Sequence, residues 1–173
     1  MGLVRIFALL TAGLLSMATA APATAAPVGA ASPRTATVTL MVPANVRKMN
    51  DLNFAYLSVT TAGTAVINPN TDVMTTTGGV TYIGGTPYSA LFETVAPTKT
   101  VVHIRTPNQP ITVTRVGGTE TMTVSNFTLS GSGTRNVVAK EPISFSVGGT
   151  LNVNANQVEG VYIGTFTVDV QYN

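Results

Sequence analysis

From Thr35 onward the chain alternates between apolar and polar side chains. Ala36, Val38, Leu40 and Val42 share one face, with Thr35, Thr37, Thr39 and Met41 on the other, the pattern of a strand with one buried side. Pro43 ends that strand, Leu52, Phe54 and Tyr56 open the next, and Thr64 to Asn68 follows a turn at Gly63. Further strands are expected at Ser89 to Thr94, Thr100 to Thr106, Ile111 to Val116, Thr121 to Leu129 and Ile143 to Val147. The pairs Gly78-Gly79, Gly84-Gly85, Gly117-Gly118 and Gly148-Gly149 read as reversals, because glycine tolerates the positive φ of tight hairpin turns. Pro107 and Pro110 bracket another turn. Past the N-terminal segment no window repeats apolar residues at helical spacing. The expected fold class is all-β, an antiparallel immunoglobulin-like β-sandwich.

The strongest alternation comes last, in Gly160 to Asn173. Gly160, Tyr162, Gly164, Phe166, Val168, Val170 and Tyr172 fall on one face, and Thr165, Thr167, Asp169 and Gln171 on the other. Extended at about 3.3 Å per residue, this run would reach about 46 Å, more than twice a common strand. It is expected to bend, with Gly164 as the place for a bulge or kink.

The N-terminus adds an address. Arg5 precedes the apolar run Ile6 to Leu15, and small-x-small cleavage signals follow at Ala18-Thr19-Ala20 and Ala23-Thr24-Ala25. The run is too short to span a bilayer. We read residues 1–25 as a signal peptide, with cleavage after residue 20 as the alternative. Residues 26–34 form a small, proline-containing arm, and residues 35–173 a single β-sandwich domain. The expected location is the periplasm, the cell surface or the medium, with no membrane span after signal removal.

Composition narrows the chemistry. Removing Arg5 leaves eight Lys and Arg against seven Asp and Glu, and no basic stripe that nucleic acid would need. With no cysteine, no disulfide framework stabilises the exported chain. Twenty-nine threonines, many valines and few Glu, Lys or Gln favour pleated sheet over helix. His103, the single histidine, is expected on the outward face of its strand. Without cysteine it builds no typical zinc site, and no Gly-x-Ser-x-Gly elbow supports a triad. Asp51, Asp72, Glu93, Glu120, Glu141, Glu159 and Asp169 are scattered, so neither paired-carboxylate catalysis nor calcium binding is suggested. Gly131-Ser132-Gly133 reads as a loop, and Asn126-Phe127-Thr128 as a chance sequon. No enzyme activity and no cofactor is expected.

Several segments together resemble the bacterial family known as domain of unknown function 4402. They are Val147 to Tyr172, with Gly148-Gly149-Thr150-Leu151 and Gly160-x-Tyr162-x-Gly164-x-Phe166, the early element Asp51-Leu52-Asn53-Phe54, and the middle strand Thr121 to Phe127. Ala55 stands where the family pattern leads one to expect glycine, which implies strain after Phe54 if that position needs positive φ. The penultimate Tyr172 and Gly160, fourteenth from the end, also resemble the close of chaperone–usher pilin subunits, including the spore-coat-U-like type. That resemblance implies an incomplete sandwich whose last strand lines a groove. A chaperone strand, and later a neighbour's strand, would complete it by β-augmentation.

Two expectations follow. The first is a structural, pilin-like subunit of a secreted or surface assembly, with a periplasmic chaperone or further copies as protein partners. Its assembly residues are Ala36, Val38, Leu40 and Val42 as donor and Gly160, Tyr162, Gly164, Phe166, Val168, Val170 and Tyr172 as acceptor. Residues 36–42 serve equally well as the domain's own first strand. The second is a self-contained exported binding domain for a glycan or protein, using loops that carry Tyr82 and Tyr88.

Overall fold

The computed structural model describes residues 45–138 and 141–172. The donor candidates Ala36, Val38, Leu40 and Val42 lie outside the described residues, as do the signal peptide and the arm. Within them the protein is all-β: β1 (Asn45–Asn50), β2 (Tyr56–Ile67), β3 (Met74–Gly84), β4 (Ala90–Val95), β5 (Val101–Arg105), β6 (Ile111–Arg115), β7 (Thr121–Leu129), β8 (Thr134–Asn136), β9 (Ile143–Val153), β10 (Tyr162–Ile163) and β11 (Asp169–Tyr172). Every pairing recorded between these strands is antiparallel.

β9 organises the larger sheet. Its first half pairs with β4 and its second half with β2, while β7 runs along its other side. Outward from β7 come β6 and β10, and beyond β4 comes β1. Phe145, Val147, Leu151 and Val153 alternate inward from β9 and serve two adjoining cores. In the first, Phe92, Val102, Ile104, Val137 and Phe145 pack between the large sheet and a small sheet ordered β11-β5-β8. In the second, Ala65, Val80, Val113, Met122 and Leu151 fill the curl of the large sheet itself. A sandwich at one end and a curled half-barrel at the other therefore share one central strand.

Glycine pairs prove to have two uses. Gly117-Gly118 turns the β6–β7 hairpin, and Gly84-Gly85 closes β3 with both residues at positive φ. Gly148-Gly149, expected as a reversal, instead sits in the middle of β9. A Cβ on Gly148 would lie 2.2 Å from the Ile67 carbonyl oxygen and 2.8 Å from Pro69 Cδ. This is the seam where β2 gives way to β4, and glycine is there for close approach. Gly78-Gly79 likewise lies inside β3, opposite an irregular stretch of β2 between Val59 and Gly63, so Gly63 marks a bulge and not the expected turn.

The alternation of β7 changes parity midway. Met122 and Val124 are buried, then Phe127 and Leu129 turn inward. Asn126, at φ 47, is the cause: it sits in a register shift between Ser125 and Thr128. The bulge re-aims Phe127 into the core, against the C-terminal segment.

Candidate functional site

The C-terminal run keeps its predicted alternation but is not one strand. Tyr162 and Ile163 pair with Arg115 and Thr114 of β6 in the large sheet. Six residues after Ile163 the chain has joined the small sheet, with Asp169 to Tyr172 facing Arg105 to Val102 of β5. Gly164 is where it leaves. A Cβ there would stand 2.6 Å from the Thr112 carbonyl oxygen and 2.8 Å from Val113 Cγ1, so only glycine passes this close to β6. Gly160, at φ 150, turns the chain into the run against the stem of Arg115.

Tyr162 fixes the start. Its hydroxyl donates to the Val158 carbonyl at 2.6 Å and accepts from Gln157 Nε2 at 2.7 Å, tying the preceding loop to the strand. Beside it, Arg115 holds Glu120 through Nε at 2.7 Å and Nη2 at 3.3 Å across the β6–β7 turn. These hydrogen bonds, reinforced by backbone N–H groups, pull the Glu120 carboxyl down to about 2, and they raise Arg115.

Phe166, Val168, Val170 and Tyr172 all face the first core, yet each is only half-buried. Phe166 is the best held: its ring lies 5.0 Å from Phe127 and 6.2 Å, edge-on, from Phe92, which stacks on Phe145 at 5.4 Å. Among the described residues β11 pairs with β5 alone, so its other edge offers backbone donors and acceptors to a further strand. Among the described residues the buried Tyr172 hydroxyl has no hydrogen-bond partner. Within the described residues this row therefore remains half-buried.

The other candidates are dispersed. His103 is half-buried on the outer face of β5, with Nδ1 3.3 Å from Thr134 Oγ1. Tyr82 is exposed and donates to the Gly85 carbonyl at 2.5 Å, while the Tyr88 backbone bridges Asn53. Among the described residues no group of three His, Cys, Asp or Glu is placed to hold a metal ion. No helix among them is long and apolar enough to cross a membrane. Sequence reading missed β1, whose side chains are all exposed, and the exposed apolar group of Val116, Val161 and Ile163 beside β10.

The sequence profile of the family described as Domain of unknown function (DUF4402) matches residues 44–172. The chain belongs to this family. Neither the curated proteins nor the solved structures contain a match to it. The DUF4402 region begins just past Pro43, so the alternating residues 36–42 precede it, whereas the whole C-terminal run lies inside it. Ala55 occupies φ 56 in the DUF4402 domain, so the position that resembles a family glycine does demand positive φ.

Proposed function

We propose that this DUF4402 protein is an exported structural subunit of a surface or secreted assembly, joined by β-strand addition at the edge of β11. One observation carries the reading. The apolar row Phe166, Val168, Val170 and Tyr172 is half-buried along a run that ends in β11, a strand that the described residues pair on one side only. An added strand would satisfy the open backbone edge and supply a second wall for these side chains. Support also comes from the segment Ala36, Val38, Leu40 and Val42, which lies outside the matched family region and whose apolar residues alternate with Thr37, Thr39 and Met41. The signal-peptide pattern supplies the route of export. A periplasmic chaperone would occupy the same edge before assembly. No catalytic step belongs to this reading.

Deletion of residues 26–42 tests it. The intact exported chain should give heat-sensitive ladders on detergent gels, and the deleted chain should give monomers that aggregate unless a strand is supplied. An intact chain that is soluble, cooperative and monomeric at high concentration would overturn the proposal.

A further inference from the structure

Where β5 runs out, the small sheet opens onto a cleft of about 620 Å³. Sites that hold small molecules commonly have volumes of roughly 300–1,000 Å³. Three segments build this one. Arg105 ends β5 and leads into Thr106, Pro107 and Asn108, the C-terminal run brings Thr167 and Asp169, and Gly133 comes from the loop before β8. Backbone pairing holds them in place: Asp169 faces Arg105 across the β11–β5 ladder, and Ile104 N–H donates to the Gly133 carbonyl at 2.7 Å. Buried Ile104 and half-buried Leu129 supply the apolar part of the lining.

Arg105 and Asp169 set the electrostatics. Residues directly opposite in an antiparallel ladder have Cα atoms only about 4.5–5.5 Å apart, with their side chains on one face. Opposite charges so placed normally draw together. Here they do not. Among the described residues the ion pairs join Lys48 to Asp51 and Arg115 to Glu120, while Arg105 and Asp169 stay exposed and apart. Asn108 and Thr167, also exposed, line the same cleft. A guanidinium, a carboxylate, an amide and a hydroxyl thus border one apolar floor.

These groups select by charge. A bare anion is drawn to Arg105 but repelled by Asp169, and a bare cation meets the reverse. A molecule that carries both charges close together satisfies both. An α-amino acid is such a molecule, since its ammonium and carboxylate share one carbon. The planar guanidinium suits a carboxylate through two parallel N–H bonds, and Asp169 accepts from the ammonium. A sugar ring gains most by stacking on an aromatic face, and among the described residues none lines the cleft. Ile104 and Leu129 favour an aliphatic body instead. We propose that this cleft binds an aliphatic α-amino acid, with Arg105 holding its carboxylate and Asp169 its ammonium. The site lies on the side of β11 that faces β5, so it does not depend on a strand added at the opposite edge.

Equilibrium dialysis of the full chain against isotopically labelled L-leucine tests this, because dialysis reads binding in monomer and assembly alike. Leucine should bind saturably. Two analogues of the same aliphatic body each lack one charge: isocaproate has no ammonium, and isoamylamine has no carboxylate. Each should compete at least about tenfold more weakly than unlabelled leucine. Arg105→Gln and Asp169→Asn should each weaken leucine binding by a similar factor. Both side chains are exposed, so the unfolding midpoints of these variants should stay at the parent value. No saturable binding up to the solubility limit of leucine overturns the proposal, as does binding that both variants leave unchanged. Competition by either analogue as strong as by leucine itself overturns the two-charge requirement. Binding of D-glucose that depends on the same two residues, with leucine silent, overturns the amino acid in favour of a polyol.

Discussion

Asp72 holds Ser89 twice, accepting a hydrogen bond from its backbone N–H at 2.8 Å and another from its hydroxyl at 2.6 Å. Both contacts reach one carboxylate oxygen, from the turn after β2 to the residue immediately before β4. These strands share one side of β9, so the pair clasps the seam that Gly148 also makes possible. Ser89 is buried, and losing the acceptor strands two donors. Asp72→Ala should cost about 2–4 kcal/mol, from unpaired buried groups and from φ 57 at a residue without an Asp side chain. Asp72→Asn retains the oxygen and tolerates the backbone, and should cost about 1 kcal/mol or less. Urea unfolding midpoints of the two variants check the order.

The Arg115–Glu120 pair predicts an acid dependence. The Glu120 carboxyl is depressed from 4.5 to about 2 in the folded chain. A depressed carboxyl binds its proton more weakly folded than unfolded, so its contribution is complete above about pH 4.5 and drains away as pH falls through about 2. Both side chains are partly solvent-exposed, which screens the effect. Stability measured against pH should therefore decline more steeply in the parent than in Glu120→Gln across that window. Equal slopes would show that the ion pair is not the source.

The strands that alternate cleanly, β4, β5 and β6, stand where periodicity alone puts them, as does the inward row Tyr162, Phe166, Val168, Val170 and Tyr172. What periodicity hides is local departure from it. Asn126 shifts the parity of β7 so that Phe127 faces Phe166, and nothing in the spacing of Met122 and Val124 announces that bulge. Gly148 resembles a turn residue because the demand on it, backbone passing at van der Waals distance, comes from Ile67, far away in sequence. β1 escaped notice because an edge strand with every side chain exposed needs no alternation. The acceptor row was legible as a face, but its half-burial was not: burial depends on which strand lies beside β11, and that is a property of the fold and its partners.

Gly148→Ala tests the seam directly. The added methyl has no room, since the nearest atom is a carbonyl oxygen in β2 and not the tip of a flexible side chain. Either β2 or β9 must shift, and overpacking of this kind costs about 1–3 kcal/mol or more. Ala55→Gly should act in the opposite direction. At φ 56 an alanine carries about 1–2 kcal/mol of left-handed strain. Glycine removes it while losing up to about 1 kcal/mol through a freer unfolded chain. Its thermal midpoint should rise by a few degrees, and a fall would show that the Ala55 methyl contributes packing that outweighs the strain.

Tyr172→Phe separates the stability of the subunit from its competence to assemble. Among the described residues the buried Tyr172 hydroxyl has no partner, and neither has Thr94 Oγ1 on β4, in a residue only 1% exposed. A buried hydroxyl that makes no hydrogen bond carries an uncompensated desolvation cost of about 1–3 kcal/mol. Thr94→Val keeps the shape, removes that cost and should stabilise the isolated chain by about 1 kcal/mol, with assembly unaffected. Tyr172→Phe should likewise stabilise the monomer, since its ring stays against the same core. If an incoming strand provides the missing acceptor or donor, however, the assembled state loses a hydrogen bond that the monomer never had. Monomer unfolding midpoints and ladder length should then move in opposite directions for Tyr172→Phe, and only the midpoint should move for Thr94→Val. Parallel behaviour of the two variants in the ladder assay would mean that the Tyr172 hydroxyl finds no partner on assembly, and that the added strand passes elsewhere.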